Sequence, residues 1–545
     1  MGVTPPNSSR RKGDGFPTAQ LFYLAICRVA EPIALTSVFP YAFPLVLRFN
    51  FGDPDNASFY AGLLISAFPI AECTTGMLWG GLSDRIGRKP TLLLGCIGTM
   101  ISLIMIGFAS NFWIALLGRS LAGFLNGNVG VIQTMVGEMV KKPEHEPRAY
   151  SVMPFVWSIG TIIGPAIGGT FAEPAVGFPG LFSANGIFAT FPYLLPNLIC
   201  AGLLLISIVV GYLFLEETHP DMLAAGKSTT DHISSIEESN EAALLSSNGL
   251  LGQAVVDLPQ NTYGTFNNND DSSSDRWEVE SEDTIAAQPT APERPKMFTK
   301  RVVLLVVALG IFSYHAMAYD HLLPVFLQDE RRDDISSFSF SPFHVPGGLG
   351  LTTQSVGFIL SIDGIIAIAI QGFIFPIVTE ILGVWKVFML VTLLSPITYI
   401  FVPYLVFLRG FWLYVGIYAC LILRNIFGNL AYPVILIMLK EASPAPSVLG
   451  RINGFAASVA AGTRSLAPPI AGYFYGVGIN LAFTGIAWWV SGAVAVLGAL
   501  QALMIRQTKR RDVLDGFPAE PVLLPPDDDM KSESILITCE ESDEV

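Results

Sequence analysis

Twelve apolar runs of about 20 residues, each long enough to cross a bilayer, leave this 545-residue chain few folds to choose from. Six cover roughly residues 18–47, 59–82, 91–110, 112–140, 150–171 and 191–214. Six more cover roughly 301–327, 353–378, 385–407, 411–439, 450–476 and 481–505. Inside hydrocarbon every backbone N–H and C=O needs a partner within the chain, so runs of this length cross as α-helices. Between the two sets lies a Ser-, Asn-, Asp- and Glu-rich stretch that cannot bury a core of its own. The expected fold is all-α: a polytopic membrane protein of 12 transmembrane helices in two pseudo-symmetric six-helix bundles. Its expected parts are an N-terminal tail (1–17), a first bundle (18–214), an acidic disordered linker (215–298), a second bundle (299–505) and an acidic tail (506–545).

The formal net charge of −14 belongs to the linker and tail. Residues 215–298 hold 16 acids and 4 bases, and the tail from Lys509 holds 11 acids and 4 bases. The remainder, 18 acids against 23 bases, is mildly basic, and nothing in that distribution suggests nucleic-acid binding. Cys27, Cys73, Cys96, Cys200 and Cys420 sit inside apolar runs, and no cysteine pair has metal-ligand spacing. Neither structural zinc nor a disulfide framework is therefore expected. No cleavable leader is evident: Arg10, Arg11 and Lys12 precede a first run that acts as a signal anchor. With no catalytic constellation and no phosphate-binding loop, the expectation is not an enzyme, with no ATP dependence and no bound cofactor.

Only about ten residues, Gly80-Gly-Leu-Ser-Asp84-Arg85-Ile-Gly87-Arg88-Lys89, join the second and third runs, which must be antiparallel neighbours. Basic residues in short loops mark the cytoplasmic face. Arg85, Arg88 and Lys89 against Asp84 alone place this turn, Lys386, Lys440 and both termini in the cytoplasm. Asn56-Ala57-Ser58 then lies on the other side as a possible glycan acceptor. Gly80 and Gly87 let the backbone turn tightly. The spacing G-x-L-x-D-R-x-G-R-K resembles the loop 2–3 signature of the major facilitator superfamily. At the matching place in the second half, Glu380, Gly383 and Lys386 form a weak echo.

The fifth run reads Gly160-Thr-Ile-Ile-Gly164-Pro165-Ala-Ile-Gly168-Gly169. Glycines at i, i+4 and i+8 make a stripe on which another helix can lie close, and proline removes a backbone hydrogen bond. The whole string resembles the antiporter signature of the drug:proton antiporter branch of that superfamily. The resemblance implies that a kinked stripe packs where the two halves meet and limits leak, and it implies antiport over symport. A sugar-porter P-E-S-P-R is not seen after the sixth run, which continues Leu215-Glu216-Glu217-Thr218-His219. Arg119, with Gly123 and Gly127, opens the fourth run in the family's pattern, and the resemblance links that arginine to proton coupling. A snorkelling interfacial arginine is the alternative. By the same resemblance Asp84, Arg88 and Glu138 form a charge network that latches the cytoplasmic gate when the carrier faces outward.

Other ionisable residues lie within the runs, where an unpaired charge is costly and points to function. Arg28 and Glu31 are three apart on one helical face and can pair. Glu72, Asp363, Arg424 and Arg464 follow on other spans. Glu31 is the first choice for a proton-coupling carboxylate, with Glu72 and Asp363 behind it; structural pairing is the alternative for each. His315, Tyr319, Asp320 and His321 cluster near the outer end of the seventh span, a hydrated vestibule more readily than a metal site. A finer resemblance joins Arg28–Pro32, Trp79–Pro90, Arg424–Asn429 and Asn453-Gly454 to a fungal group similar to plant zinc-induced-facilitator-like carriers. Together these features imply proton-coupled antiport of a small organic compound by alternating access, in the plasma or vacuolar membrane. The expected partners are a small-molecule substrate and the bilayer, with the monomer as the functional unit. A transporter-like nutrient sensor, or a symporter or facilitator for a nutrient or metal chelate, are the alternatives.

Overall fold

A computed structural model describes residues 16–140, 146–219, 222, 298–331, 345, 347–444 and 446–505. Most of the expected linker, and the acidic tail, fall outside these residues; of the linker, residues 215–219, Met222 and Phe298 are described. The first half contains α1 (Thr18–Thr36), α2 (Ala42–Phe49), α3 (Ala57–Ile86), α4 (Arg88–Gly107) and α5 (Phe112–Phe124). It continues with α6 (Asn128–Met139), α7 (Glu146–Thr170), the single turns α8 (Pro174–Gly177) and α9 (Ile187–Thr190), and α10 (Leu194–Phe214). The second half contains α11 (Lys300–Gln328), α12 (Thr353–Ala369), α13 (Phe375–Leu382), α14 (Val384–Leu394) and α15 (Ile397–Phe401). It closes with α16 (Phe411–Ala442), α17 (Pro446–Asn480) and α18 (Gly485–Ala502).

Nine helical segments among the described residues are long and apolar enough to span a membrane. The other three expected spans are shorter or carry more polar and small residues: α5 with α6, α7, and α17. Several expected spans are broken. The run 18–47 is two helices, α1 and α2, with a turn through Pro40 between them. The run 112–140 breaks at Leu125–Gly127, and a π-helical turn over Ile370–Ile374 separates α12 from α13. The fifth span shows no break at Pro165: α7 runs through it to Thr170.

One glycine in each half makes the tightest joint. Gly87 (φ 101°) alone separates α3 from α4, and Gly383 (φ 78°) alone separates α13 from α14. An L side chain is strained at such angles, so glycine is required. The faint sequence echo at Gly383 thus corresponds to the same backbone device in the second half.

The two halves meet along α3 against α17 and α7 against α12. The contact is confined to the face opposite the Gly80–Lys89 turn. A Cβ on Gly62 would strike the Pro468 carbonyl, and those on Gly472 and Gly476 would meet the carbonyls of Ser58 and Asp55. A Cβ on Gly169 would lie 2.5 Å from the Gly357 Cα, and one on Gly357 2.6 Å from the Pro165 carbonyl. His321 on α11 adds a bond from Nε2 to the Ser58 carbonyl (3.1 Å). Asn56 is half-buried at this same seam, beside Gly476, which leaves the expected glycan acceptor little freedom. Towards the basic turn the helices part: a Cβ on Gly76, Gly80, Gly81, Gly372, Gly428, Gly454 or Gly462 would meet no atom of a neighbouring element within 4 Å. The molecule is closed on one face and open on the face of the basic turn.

The antiporter-like string divides between two neighbours. Gly160, Gly164 and Gly168 pack against Pro32 and Thr36 of α1 and against Ser37 at its end, within the first half. From this string Thr161, Ile162, the Pro165 carbonyl and Gly169 reach α12. The expectation that the whole stripe faces the other half is corrected, because i, i+4, i+8 positions share one helical face and that face is taken by α1.

Overpacking a close helix contact costs about 1–3 kcal/mol. Gly169→Leu is expected to lower the thermal stability of the detergent-solubilised protein, while Gly76→Leu, with open space around it, leaves it unchanged. Equal melting temperatures for the two variants would contradict the placement of the seam.

Candidate functional site

Between the halves lies a cavity of about 300 Å³ whose lining includes Thr36, Trp157, Asp320, Asp363, Arg424 and Asn425. The second half supplies its charges. Arg424 on α16 ion-pairs with Asp320 on α11, and its guanidinium sits 5.5 Å from the Tyr319 ring centroid. Asn425 donates Nδ2 to Asp363 Oδ1 (2.5 Å) and accepts from Asn429 Nδ2 (2.9 Å). One guanidinium thus faces two carboxylates, and among the described residues Asp363 has no ion pair of its own.

The histidine-containing cluster expected near the outer end of this helix does not act as a unit. His315 is buried against Tyr399, with Nδ1 2.8 Å from its hydroxyl, and His321 is spent on the seam. Of the cluster, Tyr319 and Asp320 line the cavity, Tyr319 by its ring and Asp320 by its charge. Asp320 is a site residue that the sequence reading set aside as part of a vestibule. The signal for it was the need of Arg424 for an acid at the same depth.

A second charged cluster lies in the first half, outside that cavity lining. Arg28 ion-pairs with Glu31 one helical turn away, as the spacing implies, and both side chains are buried. Glu31 also accepts from Asn126 Nδ2 (2.8 Å) and Asn128 Nδ2 (3.3 Å). The break between α5 and α6 delivers these two asparagines. There Trp79 Nε1 donates to the Phe124 carbonyl (2.8 Å), and a Cβ on Gly127 would strike the Trp79 ring. Trp157 on α7 lies 5.8 Å from the Arg28 guanidinium and also lines the cavity, so it touches both regions. Glu72 on α3 is half-buried, and no ion pair to it forms among the described residues.

Arg119 lies apart from both charged clusters. It is buried against the Phe68 ring (5.5 Å), with Nε 3.4 Å from the Leu64 carbonyl, and no carboxylate pairs with it among the described residues. Its visible role is to tie α5 to α3. Arg464 on α17 is exposed, and its Nε donates to the Ala460 carbonyl (3.3 Å).

At the basic turn Arg88 is the hub. Its Nη1 reaches Asp84 Oδ1 and Ser83 Oγ (each 2.5 Å), and its Nη2 reaches Glu138 Oε1 (3.0 Å). Glu217, just past α10, accepts from the backbone N–H groups of Arg88 (2.9 Å) and Lys89 (3.1 Å), at the start of α4. A carboxylate there satisfies orphan helix donors and meets the positive end of the helix dipole. Thr218 donates to Glu138 (2.6 Å), and Lys89 Nζ to the Tyr212 carbonyl (2.8 Å); Arg85 is exposed. Sequence reasoning missed Glu217 and Thr218, whose partners are more than 70 residues away. Among the described residues the partners of this network lie on α3, α4, α6 and just past α10, which it braces, and none lies in the second half.

The sequence profile of the Major Facilitator Superfamily matches residues 24–353. The chain is 41% identical over 522 residues to the major facilitator superfamily multidrug transporter mfsB of Aspergillus fumigatus, covering 91% of this chain and 85% of the relative. It is 26% identical over 510 residues to ZINC INDUCED FACILITATOR 1 of Arabidopsis thaliana, covering 91% and 93%. Among solved structures it resembles the human organic anion transporter MFSD10 (TM-score 0.53, 15% identity, 90% of this chain and 100% of that one). It also resembles a D-xylose-proton symporter (TM-score 0.59, 13% identity, 90% and 98%). These structural likenesses speak for the fold, and the sequence matches carry the family. The chain belongs to the major facilitator superfamily and is an integral, multi-pass secondary transporter.

Proposed function

We propose that this protein exports an amphiphilic organic cation from the cytoplasm in exchange for protons, by alternating access of the cavity between its halves. The observation that carries the reading is the charge of that cavity: Asp320 and Asp363 against Arg424 alone, beside Trp157 and Tyr319. With both carboxylates ionised the site carries one negative charge in excess, which a cation would neutralise, and aromatic faces attract cations. The Aspergillus relative's printed name, a multidrug transporter, supports an organic substrate. The basic turn is assigned to the cytoplasm by its excess of Arg and Lys, which makes the conformation described inward-facing. The plasma or vacuolar membrane is the site of action, with both termini cytoplasmic. The cavity lies within one chain, so the monomer is the unit of transport, driven by the proton gradient with no bound cofactor.

Geometry reorders the coupling carboxylates. Glu31, the first choice from sequence, already has Arg28 and two asparagines, so a proton there would break a satisfied cluster. Glu72 has no such partners and lies outside the substrate cavity, which makes it the proton carrier in this reading; Asp363 holds the substrate cation. A proton gradient does work only through a group whose proton affinity differs between the two states.

In proteoliposomes, a pH gradient should drive accumulation of a fluorescent lipophilic cation by the wild type. Asp363→Asn should weaken its apparent affinity. A charged hydrogen bond contributes about 1.5–3 kcal/mol, roughly ten- to hundredfold. Unchanged affinity in that variant, or no pH-driven accumulation of any cation by the wild type, would sink the reading.

Removing one partner of a buried ion pair costs about 3–5 kcal/mol. Glu31→Gln should therefore lose thermal stability and yield, and the double replacement Arg28→Met with Glu31→Met should recover both. A Glu31→Gln protein that is fully stable yet uncoupled would instead return the coupling role to Glu31.

A further inference from the structure

Glu72 and Arg464 stand on opposite sides of the gap between α3 and α17, and neither has an ion-pair partner among the described residues. The two helices are antiparallel, and at the seam Asp55 meets Gly476, Ser58 meets Gly472 and Gly62 meets Pro468. Continued towards the basic turn, that register sets Ala460 opposite Ile70, Ser458 opposite Glu72, and Gly454 opposite Gly76. The Arg464 side chain lies back along α17, with its Nε on the Ala460 carbonyl (3.3 Å), so its charge is carried towards the level of Glu72. Electrostatically, Glu72 faces Arg28 and Glu31 from α1 and Arg464 from α17. Arg28 is held by Glu31, and Arg119 on α5 points to Phe68 and Leu64, which leaves Arg464, with no ion pair among the described residues, as a cation on the facing helix.

We infer that Glu72 and Arg464 form an ion pair between the halves when the basic-turn face closes, and that a proton on Glu72 prevents that pair. The inference rests on the antiport reading for its role in transport. Ionised Glu72 attracts Arg464 and favours closure. Neutral Glu72 offers no such attraction, so acid favours the open face and alkali the closed one. A carrier that still holds its proton is then held open to the cytoplasm and must release it before the substrate on Asp363 can move outward. A proton arriving from the far side breaks the pair and reopens the cytoplasmic face. That condition couples the two fluxes in opposite directions, with the proton site on one half and the substrate carboxylates on the other.

The test is a distance measurement on the full chain in nanodiscs. Spin labels are placed at Gly76→Cys and Gly454→Cys in a background free of other reactive cysteines, including Cys73. These glycines have open space around them, so the labels fit. The wild type should show a short-distance population at alkaline pH that is lost on acidification. E72Q and R464Q should each lower that population at alkaline pH by roughly fivefold or more. The charge exchange E72R with R464E should restore it. The pair is overturned if the short-distance population is absent from the wild type at every pH, or persists in both single variants, or is not restored by the exchange. The readout is independent of flux. A pH-dependent closure carried by Glu72 in a protein that moves no cation against a pH gradient would leave the pair standing and sink the antiport reading.

Discussion

An unpaired guanidinium inside a membrane protein is costly, and the interior of this transporter is arranged around two that are paired where they stand. Arg28 is answered by Glu31, and Arg424 by Asp320. In each half a further carboxylate, Glu72 or Asp363, has no cation of its own among the described residues. Each half therefore has one carboxylate more than it has paired arginine, and the helices that carry the extra one, α3 and α12, also form the seam with the opposite half. A charge change at either carboxylate acts beside the surface on which the halves move. Deep charges in a low-dielectric surrounding interact far more strongly than surface pairs, so a proton or a bound cation is enough to bias the conformation.

The seam and the charges have different tolerances. At the closed face, backbone meets backbone at Gly62, Gly169, Gly357 and Gly472, and no side chain can be added without displacing a helix. At the open face the same helices present glycines to empty space. The halves can therefore rock about a rigid line of contact while the opposite ends approach. The Arg88 network sits at the open end of the first half and fixes α3, α4 and α6 to one another, so that end moves as one body.

Much of this was legible in the residues. The apolar runs located the helices, Gly87 announced a joint that only glycine can make, and the i, i+3 spacing of Arg28 and Glu31 gave their pair. What the sequence did not carry were partners chosen by tertiary structure. Asn126 and Asn128 read as helix interior, and they reach Glu31 only because the fourth span breaks where Trp79 takes the Phe124 carbonyl. Asp320 read as part of a vestibule until Arg424 was seen beside it. The glycine string of the fifth span was visible, but its division between α1 and α12 depends on how α7 is rotated, which periodicity alone leaves open. The resemblance linked Arg119 to proton coupling, and its neighbours Leu64 and Phe68 were not legible in the sequence.

The central claim is exchange: a cation leaving the cavity as a proton crosses the other way. The direct measurement is the internal pH of proteoliposomes that contain a pH dye and start with no pH gradient. On external addition of a transported cation, its entry should drive protons out, and the interior should become alkaline in the wild type but not in Glu72→Gln. An interior that acidifies would show symport, and an interior whose pH stays fixed while the cation enters would show uncoupled passage; either result contradicts the account.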